Sequence, residues 1–241
     1  MPKLVNLDRV AHLKFRVQEE RAFSVCRNLT MCPVILDEIP RLVVEYPIVF
    51  VKNGEAGKYI SVALFGADPE VNLYWREDRW NSYSVPINIG RQPFFVATTD
   101  NTIGAAGPAG LITCIDVENP AVQTEVGEAL FDESGKETPY LRHKLALLAE
   151  LVDGEQRSEQ FVEKADSLGL IRPIQLELRA PGAEPRKISG LHSIDEPKLR
   201  ALDGATLAEL NSSGQLHAMH AMLSSLGQLQ ILARRSGRLK T

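Results

Sequence analysis

Residues 37–95 read DEIPRLVVEYPIVFVKNGEAGKYISVALFGADPEVNLYWREDRWNSYSVPINIGRQPFF. Ile48–Val51 within it is short, wholly apolar and β-branched, the signature of a strand buried on both faces. KNGEAGK follows, and Asn53-Gly54 is the dipeptide that supplies the positive φ angles of a tight turn. The return segment, Tyr59 to Phe65, alternates Ile60, Val62 and Leu64 with Tyr59, Ser61, Ala63 and Phe65. This is the clearest hairpin in the chain. Ahead of it, Asp37 is positioned to cap a short helix with Pro40 in its first turn. Leu36, Ile39, Leu42 and Val43 share one helical face, and Pro47 closes the helix.

Working outward, residues 1–30 alternate imperfectly (His12, Lys14, Arg16 against Leu13, Phe15, Val17), which predicts one or two strands with a turn at Gln18–Arg21. Gly66 to Val71 reads as a loop, Asn72 to Trp75 as a short strand, and Ser82 to Ile89 as an extended segment. Ile103–Val117 is glycine-rich and then β-like, and Asp132 to Gly135 is a turn. Beyond it the period lengthens to that of helices. Tyr140 to Val152 and Ser158 to Leu168 read as two helices, with Gly169 as the residue that ends the second. Ile174 to Leu178 reads as a strand that Lys187 to His192 could partner across Pro181-Gly182. Three helices close the chain: Glu196 to Leu202, Ala205 to Ser212, and a long one from Gln215 to Arg235 whose Leu216, Met219, Leu223 and Leu226 form an apolar stripe. The pattern is α+β: one domain over residues 1–241, β-rich to about residue 130 and mainly helical over about 138–235.

Composition limits the function classes. A formal net charge of −4 argues against a nucleic-acid binder, whose affinity rests on neutralised phosphates. The basic tail (Arg234, Arg235, Arg238, Lys240) suits a helix end that complements the helix dipole. The three cysteines, Cys26, Cys32 and Cys114, form no CxxC and no Cys/His cluster, which predicts small buried thiols in a reduced compartment. Asp8, Arg9 and Lys14 interrupt the opening segment, and no run approaches the 18 apolar residues of a membrane span. The expectation is a cytoplasmic, soluble protein.

No motif forces a chemistry. GAAGPAG (104–110) lacks the Lys-Ser/Thr of a phosphate loop, and Pro108 with a β-like sequel contradicts a following helix. His217 and His220 stand at i, i+3 without a further ligand, so no metal site is expected. No cofactor motif is present. His192 is the candidate base of an enzyme reading, with its carboxylate partner supplied only by the fold.

The aromatic region is more telling. Of two Trp, five Tyr and eight Phe in the chain, six lie between positions 74 and 95. Tyr74, Trp75, Trp80, Tyr83 and Phe94, with Arg79 and Arg91, form a candidate binding set for a peptide or planar group, and Arg76 is interleaved with them as a third arginine. The competing reading is that these rings fill the core beside the hairpin, with the arginines solvated.

The same residues carry a resemblance. EYPIVF (45–50), FGADPEVNLYW with RWNSYSVPINIGRQPF (65–94), ALFDESGKETPYL (129–141) and the closing segment 189–232 resemble the SapC family, named for a protein linked to bacterial surface-layer (S-layer) protein export. Glu45, ahead of Tyr46-Pro47, departs from the family pattern. The resemblance implies no catalytic residues. It implies an accessory role with a protein or peptide partner: surface-layer export, or companionship with cupin-type oxygenases and flavin halogenases. A homodimer that buries the aromatic patch is a further alternative.

Overall fold

The computed structural model describes residues 2–54, 57–66, 68–98, 110–178 and 186–238. Most of GAAGPAG, the Pro181-Gly182 connection and Lys240 lie outside them. The architecture is α+β, with antiparallel sheets and with helices concentrated in the C-terminal half. The chain forms two compact units: one of Met1–Arg27, Trp75–Asn81 and Ile87–Asp153, the other of Asn28–Tyr74, Ser82–Pro86 and Gly154–Thr241.

The second unit is built on a five-stranded sheet in the order Ile171–Leu178, Arg186–Ile194, Ile48–Lys52, Tyr59–Leu64, Met31–Pro33. The expected hairpin lies at its centre, in the register Ile48↔Ala63, Phe50↔Ser61 and Lys52↔Tyr59. Ile48, Val49 and Phe50 are all fully buried. Successive strand residues point to opposite faces, so this strand is covered on both sides. On one face Phe50 meets the Phe161 ring, centroids 5.9 Å apart. The Gln215–Ser225 helix contacts the Ile48–Lys52 and Arg186–Ile194 strands, buries Ala218, Met219 and Met222, and its Ser225 hydroxyl accepts from the Ile48 N–H at 2.9 Å. The connection is wider than a two-residue turn. Gly57 carries the positive φ (+64°) and donates to the Asn53 carbonyl, because six residues separate the strands.

Other expectations are corrected. Asp37 does not cap the short helix. It forms an ion pair with Arg157, while the fully buried Glu38 reaches back to the Ile35 N–H. The two helices expected around residues 140–168 are one, Pro139–Ser167. Gly154 does not break it: a Cβ there would come within 2.5 Å of Ile35 Cδ1, so glycine permits a close approach. Gly169 ends the helix as expected, at φ +62°, with Leu170 donating to the Ala165 carbonyl and Gly169 to that of Asp166. The long terminal helix is instead two, Gln215–Ser225 and Gln228–Arg238. At Leu226 and Gly227 the bonds tighten to the i−3 carbonyl, where glycine supports the helix poorly.

The first unit holds a sheet in the order Leu4–Asn6, Leu111–Asp116, Phe94–Thr98, and a smaller one in which Arg16–Val17 lies between Val122–Gln123 and Glu128–Ala129. Val17, Phe94, Ile115, Ala121, Leu130, Leu141 and Leu148 form its core. Here too the reading needs correction. Residues 1–30 do hold two short strands, Leu4–Asn6 and Arg16–Val17. Residues 9–14, however, turn, closed by the Asp8 carboxylate on the N–H groups of Val10 and Ala11, and the turn expected at Gln18–Arg21 is a short helix, Glu19–Ala22. Ser82–Ile89 is not a strand: the chain makes one helical turn at Ile87–Gly90 before the cis Gln92–Pro93 bond.

Candidate functional site

The expected short strand Asn72 to Trp75 begins only at its last residue. Trp75–Arg76 pairs with Arg79–Trp80 in a two-residue ribbon of the first unit, in the register Trp75↔Trp80 and Arg76↔Arg79. Glu77 and Asp78 form its turn, with φ of 52° and 56°. Positive φ at both central residues is the geometry whose twist matches antiparallel strands, but here it is imposed on two residues with side chains. Directly opposed residues share one side of a ribbon and their neighbours take the other. The two tryptophans therefore mark one side and the two arginines the other. Both tryptophans are half-buried, and Arg79 is exposed in a loose pair with Glu77.

The Arg79–Trp80 strand packs against the Glu19–Cys26 segment. That segment also supplies Glu19 and Phe23 to a buried amine. Lys144, 1% exposed, donates to Glu19 Oε1 and to the Gly90 carbonyl, each at 2.7 Å. Its Nζ lies 5.6 Å from the centre of the Phe23 ring and 5.2 Å from that of Tyr140. Burial, with Glu19 and Glu128 nearby, pushes the Tyr140 hydroxyl well above its ordinary range, and this hydroxyl has no hydrogen-bond partner. An ammonium held by one carboxylate, one carbonyl and two ring faces is a structural anchor for the Glu19–Cys26 segment.

The remaining candidates are dispersed. Tyr74 is a core residue of the second unit, with its ring 4.5 Å from Tyr46 and its hydroxyl donating to the Glu45 carbonyl. Burial raises its hydroxyl pKa to about 12. Phe94 is fully buried in the first-unit core. Arg91 stacks on the Phe95 ring at 4.2 Å and donates to Asn88 and to the Phe94 carbonyl, which makes it a local brace. Tyr83 projects fully into solvent from the Ser82–Pro86 segment of the second unit. Its backbone is gripped by Glu45, whose carboxylate accepts from the N–H groups of Tyr83 and Ser84 at 3.1 and 2.7 Å. Burial opposes the Glu45 charge, but hydrogen bonds from Ser82, Ser84 and Tyr83 outweigh it and hold the carboxyl below its ordinary range. Glu45 thus fixes a loop.

The geometry of the expected base is also clear. His192 sits on the Arg186–Ile194 strand opposite Phe50, edge-on to Tyr59 at 4.9 Å, and its Nδ1 is buried without a hydrogen-bond partner among the described residues. No carboxylate orients that nitrogen, as a general base needs. His217 and His220 are exposed. Among the described residues no cluster of His, Cys, Asp and Glu could hold a metal ion, and no helix is long and apolar enough to cross a membrane. Among the described residues Cys26, Cys32 and Cys114 are buried and form no disulfide, and burial lifts the Cys26 thiol to about 11, away from reactivity.

Arg76 was legible in the sequence only as one of the arginines interleaved with the aromatics, whereas Glu19 and Lys144, 125 residues apart, left no signal of their pairing. No curated protein and no solved structure matches the chain. A family model described as SapC matches residues 7–232, which takes in the ribbon, the central hairpin and the helices that follow them. The chain belongs to the SapC family.

Proposed function

We propose that this protein is a non-catalytic accessory protein that works in the cytoplasm as one functional domain and engages a polypeptide partner through the Trp75–Trp80 ribbon. One observation carries the reading: two half-buried tryptophans stand directly opposite each other on a ribbon only two residues deep. Tryptophan offers a large, stiff surface with one polar edge, and rings already partly desolvated gain further by full burial. Arg79 borders the pair, whereas Tyr74 and Phe94 serve packing. The family association suggests a surface-layer protein in transit or a companion enzyme as the partner.

The chain's two tryptophans are both in this ribbon, so its intrinsic emission reports on the ribbon alone. The test is capture of a partner from host extract by the wild type and by Trp80→Ala, followed by titration of the purified partner against tryptophan emission. The expected result is a saturable emission shift with the wild type and loss of capture by a Trp80→Ala variant of unchanged unfolding midpoint. Equal capture by both proteins removes the ribbon from the function. Sedimentation of the wild type alone separates this reading from self-association.

A further inference from the structure

Resting on that reading, we propose that the ribbon's arginine side recognises a carboxylate on the partner polypeptide, with Arg76 as the principal receptor. The guanidinium Nε and Nη2 of Arg76 are buried and have no hydrogen-bond partner among the described residues. Buried donors are almost always paired, and a guanidinium presents a rigid fork that matches a carboxylate. Its cross-strand neighbour is a second arginine, Arg79. Like charges directly opposed on a ribbon repel, and the pair Arg79 makes with Glu77 is exposed and 3.4 Å long. Arg76 therefore gives up no protein hydrogen bond at those two nitrogens when its side chain turns outward, whereas a partner's carboxylate gains a fork and relieves the repulsion. The contrast is with Arg91, whose guanidinium already holds Asn88 and the Phe94 carbonyl. The net charge of −4 argues against a nucleic acid, for which a broad basic surface is required, whereas a single carboxylate needs only the local pair of guanidinium groups. The tryptophans on the opposite side supply the apolar part of the contact.

The test uses the full chain and three doubly capped 12-residue peptides of one Leu-containing pattern, with Glu, Gln or Lys at the variable positions, and oligothymidylate as a phosphate control. Tryptophan emission is the readout at low and at high salt. The expected result is about tenfold tighter binding of the Glu peptide than of the Gln peptide, weakened by salt. Arg76→Gln brings the two peptides within about twofold, and Arg76→Lys, which keeps the charge but not the fork, gives an intermediate preference. Equal binding of the Glu and Gln peptides overturns the proposal while leaving the polypeptide reading intact, and tighter binding of oligothymidylate overturns it in favour of phosphate. If no peptide shifts the emission while Trp80→Ala still abolishes capture from host extract, the carboxylate inference falls alone. A Glu-peptide preference that survives Arg76→Gln and is lost in Arg79→Gln overturns the assignment to Arg76.

Discussion

Two hairpins built by neighbouring stretches of the chain have opposite designs. The Ile48–Lys52/Tyr59–Leu64 hairpin is long, apolar on both faces and closed by a loop whose positive φ falls on glycine. The Trp75–Arg76/Arg79–Trp80 ribbon is two residues deep, half-exposed and closed by Glu77 and Asp78, both at positive φ. Among its described residues the first puts its positive φ on glycine and buries Ile48–Phe50 and Val62–Leu64, so it organises its unit. The second carries strain and like-charge opposition, with two half-buried rings on one side, and on the other an exposed Arg79 beside an Arg76 whose Nε and Nη2 are buried. A locally unfavourable hairpin that is retained is a pointer to function.

The sharpest way to break this contrast is to weaken the structural hairpin. Phe50→Ala removes a fully buried ring from between strand and helix. It should cost about 3–5 kcal/mol in denaturant unfolding. A loss below about 1 kcal/mol would mean that the sheet is not the organising core. The complementary change relaxes the ribbon. Replacing Glu77 and Asp78 by Asn and Gly suits both positive φ angles and should stabilise the chain by about 1 kcal/mol. It should leave the tryptophan emission maximum in place, and a shifted maximum would show that the acidic side chains, not the turn, set the ribbon.

The smallest effect concerns the loop that bears Tyr83. The Glu45 carboxyl is depressed in the folded protein, so its contribution is present above the unfolded carboxylate range and is lost as pH falls through the lower folded value. Glu45→Gln should therefore flatten the acid limb of stability slightly and speed amide exchange at Tyr83 and Ser84, with little change at neutral midpoint because the half-buried group is partly screened by solvent and the amide oxygen can still accept. Unchanged exchange would show that the loop is held by the Tyr46 hydroxyl on the Ser84 carbonyl instead.

Hydrophobic period and turn chemistry are local, which is why the central hairpin, the Asp132–Gly135 turn, the Gly169 helix end and the α+β class could be read from residues alone. The break at Gly227 was open to the same reasoning but was masked by an apolar stripe that continues across it. The Glu77-Asp78 turn left no such mark, since it lacks the Asn-Gly or Asp-Gly that signals a ribbon and its strands are too short to show alternation.

What the sequence by itself determined is the set of elements whose stability is decided within one or two turns of chain, and the clustering of aromatics that drew attention to residues 74–95. Which of those aromatics are reachable was decided only in three dimensions. Tyr74 and Phe94 went to two different cores, Tyr83 to solvent, and the two tryptophans to one ribbon. The same is true of charge: Lys144 reads as an ordinary polar helix position, yet a carboxylate 125 residues away and a carbonyl 54 away make its burial tolerable. Burial and pairing are sums over distant neighbours, and no local pattern contains them.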